Sequence, residues 1–547
     1  MSKVKNGCRA VAFIVLFCML FLRIQSLVTP NWDWPDFWGR TNKSINGFFN
    51  EGKDTLDAVW LGTSHTQCGV VPMHVYELSG MRTYNLATSG QPLLLSYHRL
   101  QSALSSQSPK VVFLDASGCF YSDISNGAVT RWLKTITSYP VDKVIEKIQM
   151  AWDMPPEDTQ EDKLSQTASA VLPLLRFHSN YMLNERSYLD LHLDQPFPQK
   201  GYAITTKVKA SSVDDDGTDE FSESEATDAK KMEKLSVKFE KNYDNLKKVL
   251  KLCRDNGCDM VMVKMPVVSK NEKVNARWSN EKHQIIQQWC DGEGLEFLDL
   301  NYLDVGIDWQ MDSCDGGAHL NLRGAEKVSQ FFTQWLEDHY SFEDNANQKT
   351  RETWDLQLRV YQKERETHYL QMCADMEAYM NTLGSGNYTV LCAASAPAKA
   401  CWDDASQTQF SQLTGTDTDL YSTWQNSPKM TYACVFSQGK LIDEAMMKTG
   451  RARLKGEMPD GSRYEITCGG ILSKEPASVV IDGVDLAVKG EGLYFVVYDN
   501  DMGCVVDSVV FDTSQEGIPS KHGFKYESRY RVKFIDYENK LLKSMAS

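Results

Sequence analysis

The sequence predicts an α/β protein. A doubly wound parallel sheet in a three-layer α/β/α arrangement is expected, with an N-terminal transmembrane anchor before it and a β-rich, sandwich-like domain after it. Three observations carry this expectation. Between residues 55 and 340, short runs that are apolar on both sides alternate with amphipathic helical stretches, the pattern of parallel strands buried between helices. The first residues are basic and then apolar. Beyond about residue 386 the spacing turns to that of strands and turns.

At the N-terminus Lys3, Lys5 and Arg9 precede an apolar run from Ala10 to Leu22 that reaches Val28 through Arg23. A bilayer is crossed by roughly 17 to 20 mainly apolar residues, and the basic flank would keep the N-terminus inside. A cleaved export signal fits the same run, but no small-x-small cleavage pattern stands between Gln25 and Pro30. Residues 1–29 are therefore expected to be an uncleaved anchor, with the rest outside the cytoplasm. Trp32, Trp34, Phe37 and Trp38 follow, suited to the membrane interface or to packing on the next domain.

Residues 30–345 are expected to form the α/β domain. Its strands are read at 58–61, 83–86, 111–114, 260–264 and 296–298, and helices at 93–106, 233–256 and 279–291. Residues 211–229, acidic and rich in Ser and Thr, read as a solvated insertion with too few apolar residues to fold alone. A long connecting helix is expected within 346–385, from Trp354, Leu358, Tyr361, Met372, Met376, Tyr379 and Leu383 at helical steps. In residues 386–547, Val479-Val480-Ile481 before Asp482-Gly483 reads as strand and turn. Leu493–Tyr498 and Cys504–Phe511 flank Asn500-Asp501-Met502-Gly503 as a hairpin.

Net charge is −15 and the isoelectric point about 5.3, so no broad basic surface is implied and nucleic acid is not an expected partner. Fourteen cysteines in an exported chain fit disulfides, yet none form a C-x-x-C pair and several sit in apolar runs, which fits buried free thiols equally well.

Two stretches carry chemistry. The run Ala58-Val59-Trp60-Leu61 stops at Gly62-Thr63-Ser64-His65, a small, hydroxyl-bearing turn at the carboxyl end of a strand, where doubly wound sheets bind ligands. Far along the chain, Asp312-Ser313-Cys314-Asp315-Gly316-Gly317-Ala318-His319-Leu320-Asn321 enters an amphipathic helix marked by Val328, Phe331, Phe332, Trp335 and Leu336. A serine hydroxyl is a poor nucleophile without a base, and the base needs a partner that fixes its tautomer. Ser64, His319 and Asp315 supply those roles, with Asp312 a more distant acid. The Ser64 amide and that of Gly90, in the loop after the next strand, would face the developing oxyanion, each typically contributing ~3 kcal/mol. His65, Asn85, Arg176 and His178 (with nearby Tyr181) are further substrate-side candidates. Taken singly, His319 also reads as a polar helix-entry residue, and Asp315 or Asn321 as a cap. No metal or organic cofactor is required by this chemistry.

These motifs resemble the SGNH/GDSL hydrolase superfamily, and more closely its membrane-anchored DltD-like and alginate-acetylation (AlgJ/AlgX-like) branch. The carriers are the GTSH turn, YNLATSGQ, PKVVFLD and DGGAHLNLRGA, over roughly residues 45 to 340. The resemblance implies Ser64 as nucleophile, His319 as base, Asp315 as its acid and Gly90 as an oxyanion donor. Three departures stand out. Gly62-Thr63-Ser64 replaces Gly-Asp-Ser, the acid-to-histidine spacing is one residue longer, and Asp115-Ala116-Ser117-Gly118 stands where the family carries an asparagine-bearing block. Residues 435 to 515 resemble the ILEI/PANDER domain through ASVVIDG, GEGLYFVVYD and VFDT, which implies a small β-sandwich with a carbohydrate-recognising role. Together the resemblances imply an extracytoplasmic serine esterase or O-acyltransferase acting on a polysaccharide or other acylated glycan, with a membrane-bound O-acyltransferase as partner. The alternative is a non-catalytic glycan-binding or scaffold protein that keeps the fold.

Overall fold

The structure, a computed structural model, describes residues 2–28, 41–121, 141–156, 162–172, 199–211, 228–268, 278–384, 386–394, 401–427, 429–469 and 477–523. It also describes scattered residues within 132–139, 174–175 and 533–541. The chain divides into two compact units, Met1–Leu358 and Arg359–Ser547. Trp32, Trp34, Phe37, Trp38, most of the acidic insertion, Arg176, His178 and Tyr181 lie outside the described residues.

Among its described residues the first unit is built on five strands: β1 (Ala58–Leu61), β2 (Thr83–Asn85), β3 (Val111–Asp115), β4 (Asp259–Lys264) and β5 (Glu296–Asp299). They pair in the order β2-β1-β3-β4-β5, every neighbour parallel. Helices Pro72–Ser79, Leu93–Leu104, Ala229–Asp255 and Asn280–Glu293 lie in the four crossovers, and Leu322–His339 follows the last strand. β1 to β3 are buried throughout, and the buried stretches of β1 and β3 read as continuous apolar runs, AVWL and VVFL. Register sets Trp60 beside Phe113, and their rings stack at 3.9 Å and 7°. Val328, Phe332, Trp335 and Leu336, one stripe of the closing helix, pack into the same cluster. Each such side chain stabilises the fold by about 1.5–3 kcal/mol on burial. Because β2 and β3 lie on opposite sides of β1, the chain reverses its winding there, and the carboxyl end of β1 is where such sheets bind ligands.

The N-terminal run is helical over Ser2–Val28, and Val11, Phe13, Leu16 and Leu20 stand exposed on it. Among the described residues no helix is long and apolar enough to cross a membrane. The expected transmembrane span is therefore not found there.

Among the described residues the second unit holds ten strands: β6 (Tyr388–Ala394), β7 (Thr431–Ser437), β8 (Lys440–Met447), β9 (Ala452–Glu457), β10 (Arg463–Cys468), β11 (Ala477–Ile481), β12 (Val484–Asp485), β13 (Leu493–Asp499), β14 (Cys504–Phe511) and β15 (Ser520–His522). They form a six-stranded sheet, β15-β14-β13-β6-β7-β8, and a four-stranded sheet, β12-β11-β10-β9. Leu391, Ala393, Val435, Tyr494 and Val496 of the larger sheet pack against Leu454, Ile466 and Val479 of the smaller, a sandwich core. The larger sheet's other face is covered by Tyr379, Met380, Phe410 and Trp424, from helices Met376–Leu383, Asp404–Thr414 and Leu420–Asn426. The expected hairpin is β13–β14, antiparallel. Asp482 and Gly483 turn between β11 and β12 with φ of 48° and 81°, the left-handed values that make Asp-Gly a hairpin dipeptide.

The single connecting helix is corrected to two, Gln348–Met372 and Met376–Leu383. The chain breaks where the Asp375 carboxylate accepts the Ala378 N–H at 2.8 Å and starts a new helix. Every described cysteine is a free thiol.

Candidate active site

β1 delivers Gly62-Thr63-Ser64 to the winding reversal. A Cβ on Gly62 would stand 2.4 Å from Asp115 Cβ, so only glycine lets the two strand ends approach. Asp115, buried at the end of β3, accepts the Thr63 N–H at 3.2 Å and its hydroxyl at 2.6 Å through one oxygen. The other accepts the Ser117 N–H at 2.9 Å. The turn is thus locked just before Ser64, which opens the helix Ser64–Gly69.

The late loop is shaped by its own small residues. Ser313 Oγ accepts the N–H groups of Gly316 and Gly317 at 3.1 and 2.6 Å, and the glycines take φ of 89° and 108°. The Asn321 side chain caps the helix that follows, accepting from Arg323 and Gly324. Asp315 sends one oxygen to the Ala318 and His319 N–H groups (3.0 and 2.9 Å) and the other to His319 Nδ1 at 2.7 Å. His319 Nε2 lies 2.8 Å from Ser64 Oγ. With Nδ1–H donating to the carboxylate, Nε2 carries the lone pair and accepts the serine hydroxyl. The three residues thus form one hydrogen-bonded line that joins two loops 255 positions apart in sequence.

Partial burial raises the pKa of Asp315, but the His319 ring N–H, the imidazole charge and the two backbone N–H groups outweigh it and hold the carboxyl down to about 2. The sign of the linkage follows. The folded value lies below the ordinary 3.8, so the contribution to stability is complete above about pH 5 and is lost as the pH falls through about 2. Asp315→Asn lacks it at every pH. The difference in urea midpoint between wild type and variant is expected to be constant above about pH 5 and to shrink steadily as the pH falls from there to about 2. A difference that does not shrink over that range would assign the loss to something other than this carboxylate.

Gly90 sits in the loop beside the turn, with φ of 63°, and the Thr88 N–H reaches Gly62 O at 3.1 Å. Arg99, fully buried, clamps that loop by donating to Leu86 O at 2.8 Å and Thr88 Oγ1 at 3.0 Å, and to Gln91 Oε1. Arg99→Met removes the donor to Leu86 O and Thr88 Oγ1, while Gln91 Oε1 keeps the Thr88 hydroxyl at 2.9 Å, at a cost of about 1–3 kcal/mol. A lower melting temperature by circular dichroism and a roughly tenfold drop in ester turnover are expected. An unchanged melting temperature would show that the clamp contributes nothing.

Asn85 stands elsewhere. It is fully buried, its amide donates to Thr66 O at 2.8 Å and Val70 O at 3.3 Å, and its oxygen accepts the Ala87 N–H. The side chain braces the Ser64–Gly69 helix from behind, and with both amide contacts directed at that helix it keeps no donor for substrate. Asp312 is likewise structural, paired with Lys327 at 2.6 Å. His65 lies close to the centre of the site: its ring is 5.0 Å from that of His319, and its Nδ1 is 3.0 Å from the Nζ of buried Lys264 at the end of β4. Asp115, Arg99 and Lys264 are the site residues that sequence reasoning missed. The signal was a charged residue ending or interrupting an apolar run.

No protein-family model matches the chain, and no curated protein matches it. Among solved structures it is similar to a protein from Bacteroides fragilis provisionally described as an acylhydrolase, with 10% identity and a TM-score of 0.26. The match covers 56% of this chain and 98% of that one.

Proposed function

We propose that the chain is a serine esterase or O-acyltransferase acting outside the cytoplasm on acyl groups of a cell-envelope or secreted polysaccharide. The observation that carries this reading is the Ser64–His319–Asp315 line, with contacts of 2.8 and 2.7 Å. Ser64 Oγ attacks the acyl carbonyl carbon while its proton passes to His319 Nε2. The carbonyl π pair moves onto oxygen, which the Ser64 and Gly90 N–H groups stabilise. Collapse of this intermediate breaks the ester bond, and the leaving alcohol takes the proton from His319. Water or a sugar hydroxyl then repeats the cycle on the acyl-serine, with His319 again as base.

The exposed apolar side chains on Ser2–Val28 favour membrane attachment, beside a membrane-bound O-acyltransferase partner, and the second unit would bind glycan in the manner of the ILEI/PANDER domain. One observation favours a different reading, a catalytically silent glycan-binding scaffold: Asn85 is engaged elsewhere, so it lends the oxyanion no side-chain donor. Labelling the full chain with a fluorophosphonate and mapping the adduct separates the two. An adduct on Ser64 supports the esterase. No adduct at any pH from 6 to 9 favours the scaffold.

A further inference from the structure

At the edge of the parallel sheet a cleft of about 330 Å³ opens against the outer face of the helix Asn280–Glu293. Its chemistry is polar and nearly neutral. Asn280, Gln284, Gln287 and Gln288 line it with amides, His283 and Tyr302 with rings, and Asp291, which accepts from Gln287 at 2.8 Å, is its one carboxylate among the described residues; no lysine or arginine is among them. The rings are fixed. His283 Nδ1 donates to Asp299 at 2.8 Å, the Tyr302 hydroxyl donates to Asn280 Oδ1, and the two ring centroids lie 4.1 Å apart. Gln284 and Gln288 stand one helical turn apart, exposed, with no side-chain hydrogen bond among the described residues.

The cleft starts at the same rim as Ser64 and runs along the helix away from it, from Asn280 to Asp291. The helix runs back antiparallel to the strands, so Asn280 lies near the carboxyl ends, and β5 is three strands from β1, about 14 Å at the usual spacing. A contact chain joins the two places. Asp299 also accepts the Trp278 indole N–H at 2.8 Å, Lys264 Nζ lies 5.4 Å from the Trp278 ring, and Lys264 meets His65 beside His319.

We propose that this cleft is a subsite for a neutral, polyhydroxylated chain, an oligosaccharide whose acylated end lies at Ser64. Primary amides donate and accept in one plane, as hydroxyl-rich ligands require, and the fixed rings offer apolar faces to the C–H surfaces of a sugar. With Asp291 and no cation at its wall, the cleft disfavours phosphates and uronates. The assignment deepens the acyl-transfer reading, but its binding half is tested apart from catalysis.

The full chain is titrated with cellohexaose, maltohexaose, mannohexaose, chitohexaose and a polyguluronate hexamer, followed by saturation-transfer NMR and calorimetry. At least one neutral hexamer is expected to bind, and the uronate more weakly. The double variant Gln284→Ala, Gln288→Ala, two exposed positions where alanine favours the helix, is expected to weaken binding about tenfold. Its turnover of p-nitrophenyl acetate, which is too short to reach the cleft, should stay unchanged. Binding of no neutral hexamer, tighter binding of the uronate, or equal affinity in the double variant overturns the proposal. If the affinities behave as expected while p-nitrophenyl acetate is never turned over, the acyl-transfer reading falls and the cleft stands.

Discussion

Replacing Ser64 with alanine is expected to lower p-nitrophenyl acetate turnover by about 10⁴-fold or more while leaving the melting temperature within a degree or two. The hydroxyl is the only group lost, the residue is half-buried at the mouth of a short helix, and its Oγ contact is to His319 alone among the described residues. His319→Ala should cost nearly as much, and the double variant scarcely more, because nucleophile and base act as one unit and their losses do not add. Asp315→Asn should sit between, about 10²- to 10⁴-fold down. It removes the acceptor that holds Nδ1–H and with it the Nε2 lone pair that Ser64 needs. Steady-state kinetics on the four proteins decide this. Additive losses in the double variant, or full activity in Ser64→Ala, would sink covalent catalysis here.

The parts of this arrangement that were readable from the residues, and the parts that were not, divide along physical lines. β1, β3 and β4 were legible from their buried apolar runs, AVWL, VVFL and MVMV, and β2 and β5 from their place in the alternation; the observed ends moved by at most a residue or two. The partnership of Ser64 with His319 was legible from order and context. Loops at the carboxyl ends of strands converge on the winding reversal whatever their separation in sequence. Burial, by contrast, hid the polar residues that do the holding. Asp115 and Lys264 end the runs VVFLD and MVMVK and count as the last residue of a strand until their partners are seen. Arg99 sits in LLLSYHRLQSAL, where one cation on a helix reads as surface. Asn85 was misplaced for the opposite reason, a polar residue beside the site whose hydrogen bonds face inward. The helix break at Asp375 was masked because Met372 and Met376 keep a four-residue step across it. In the second unit Asp403 and Asp419 cap helices that the strand pattern around them concealed.

Asp115 yields the second large effect, and it separates positioning from mere support. Asp115→Ala removes the acceptor of three donors, Thr63 N–H, Thr63 Oγ1–H and Ser117 N–H. Unsatisfied buried donors cost about 1–3 kcal/mol each, so a loss of about 2–4 kcal/mol is expected after relaxation. With the lock gone the turn can drift, and a shift near 1 Å in the nucleophile costs roughly 10² in rate. Asp115→Asn is the sharper probe. It keeps the shape against Gly62 and one acceptor oxygen, but turns an NH₂ toward either the Thr63 pair or the Ser117 N–H. Its fold should survive with a modest drop in melting temperature, while kcat on p-nitrophenyl acetate falls about 10- to 100-fold and KM moves little. Thr63→Val, which deletes one of the donors, completes a double-mutant cycle whose coupling should be about 0.5–3 kcal/mol in transition-state terms. A cycle with no coupling, or Asp115→Asn with wild-type kcat, would reduce this carboxylate to a packing residue. The Ser64 turn would then have to be held by the steric contact of Gly62 against the end of β3.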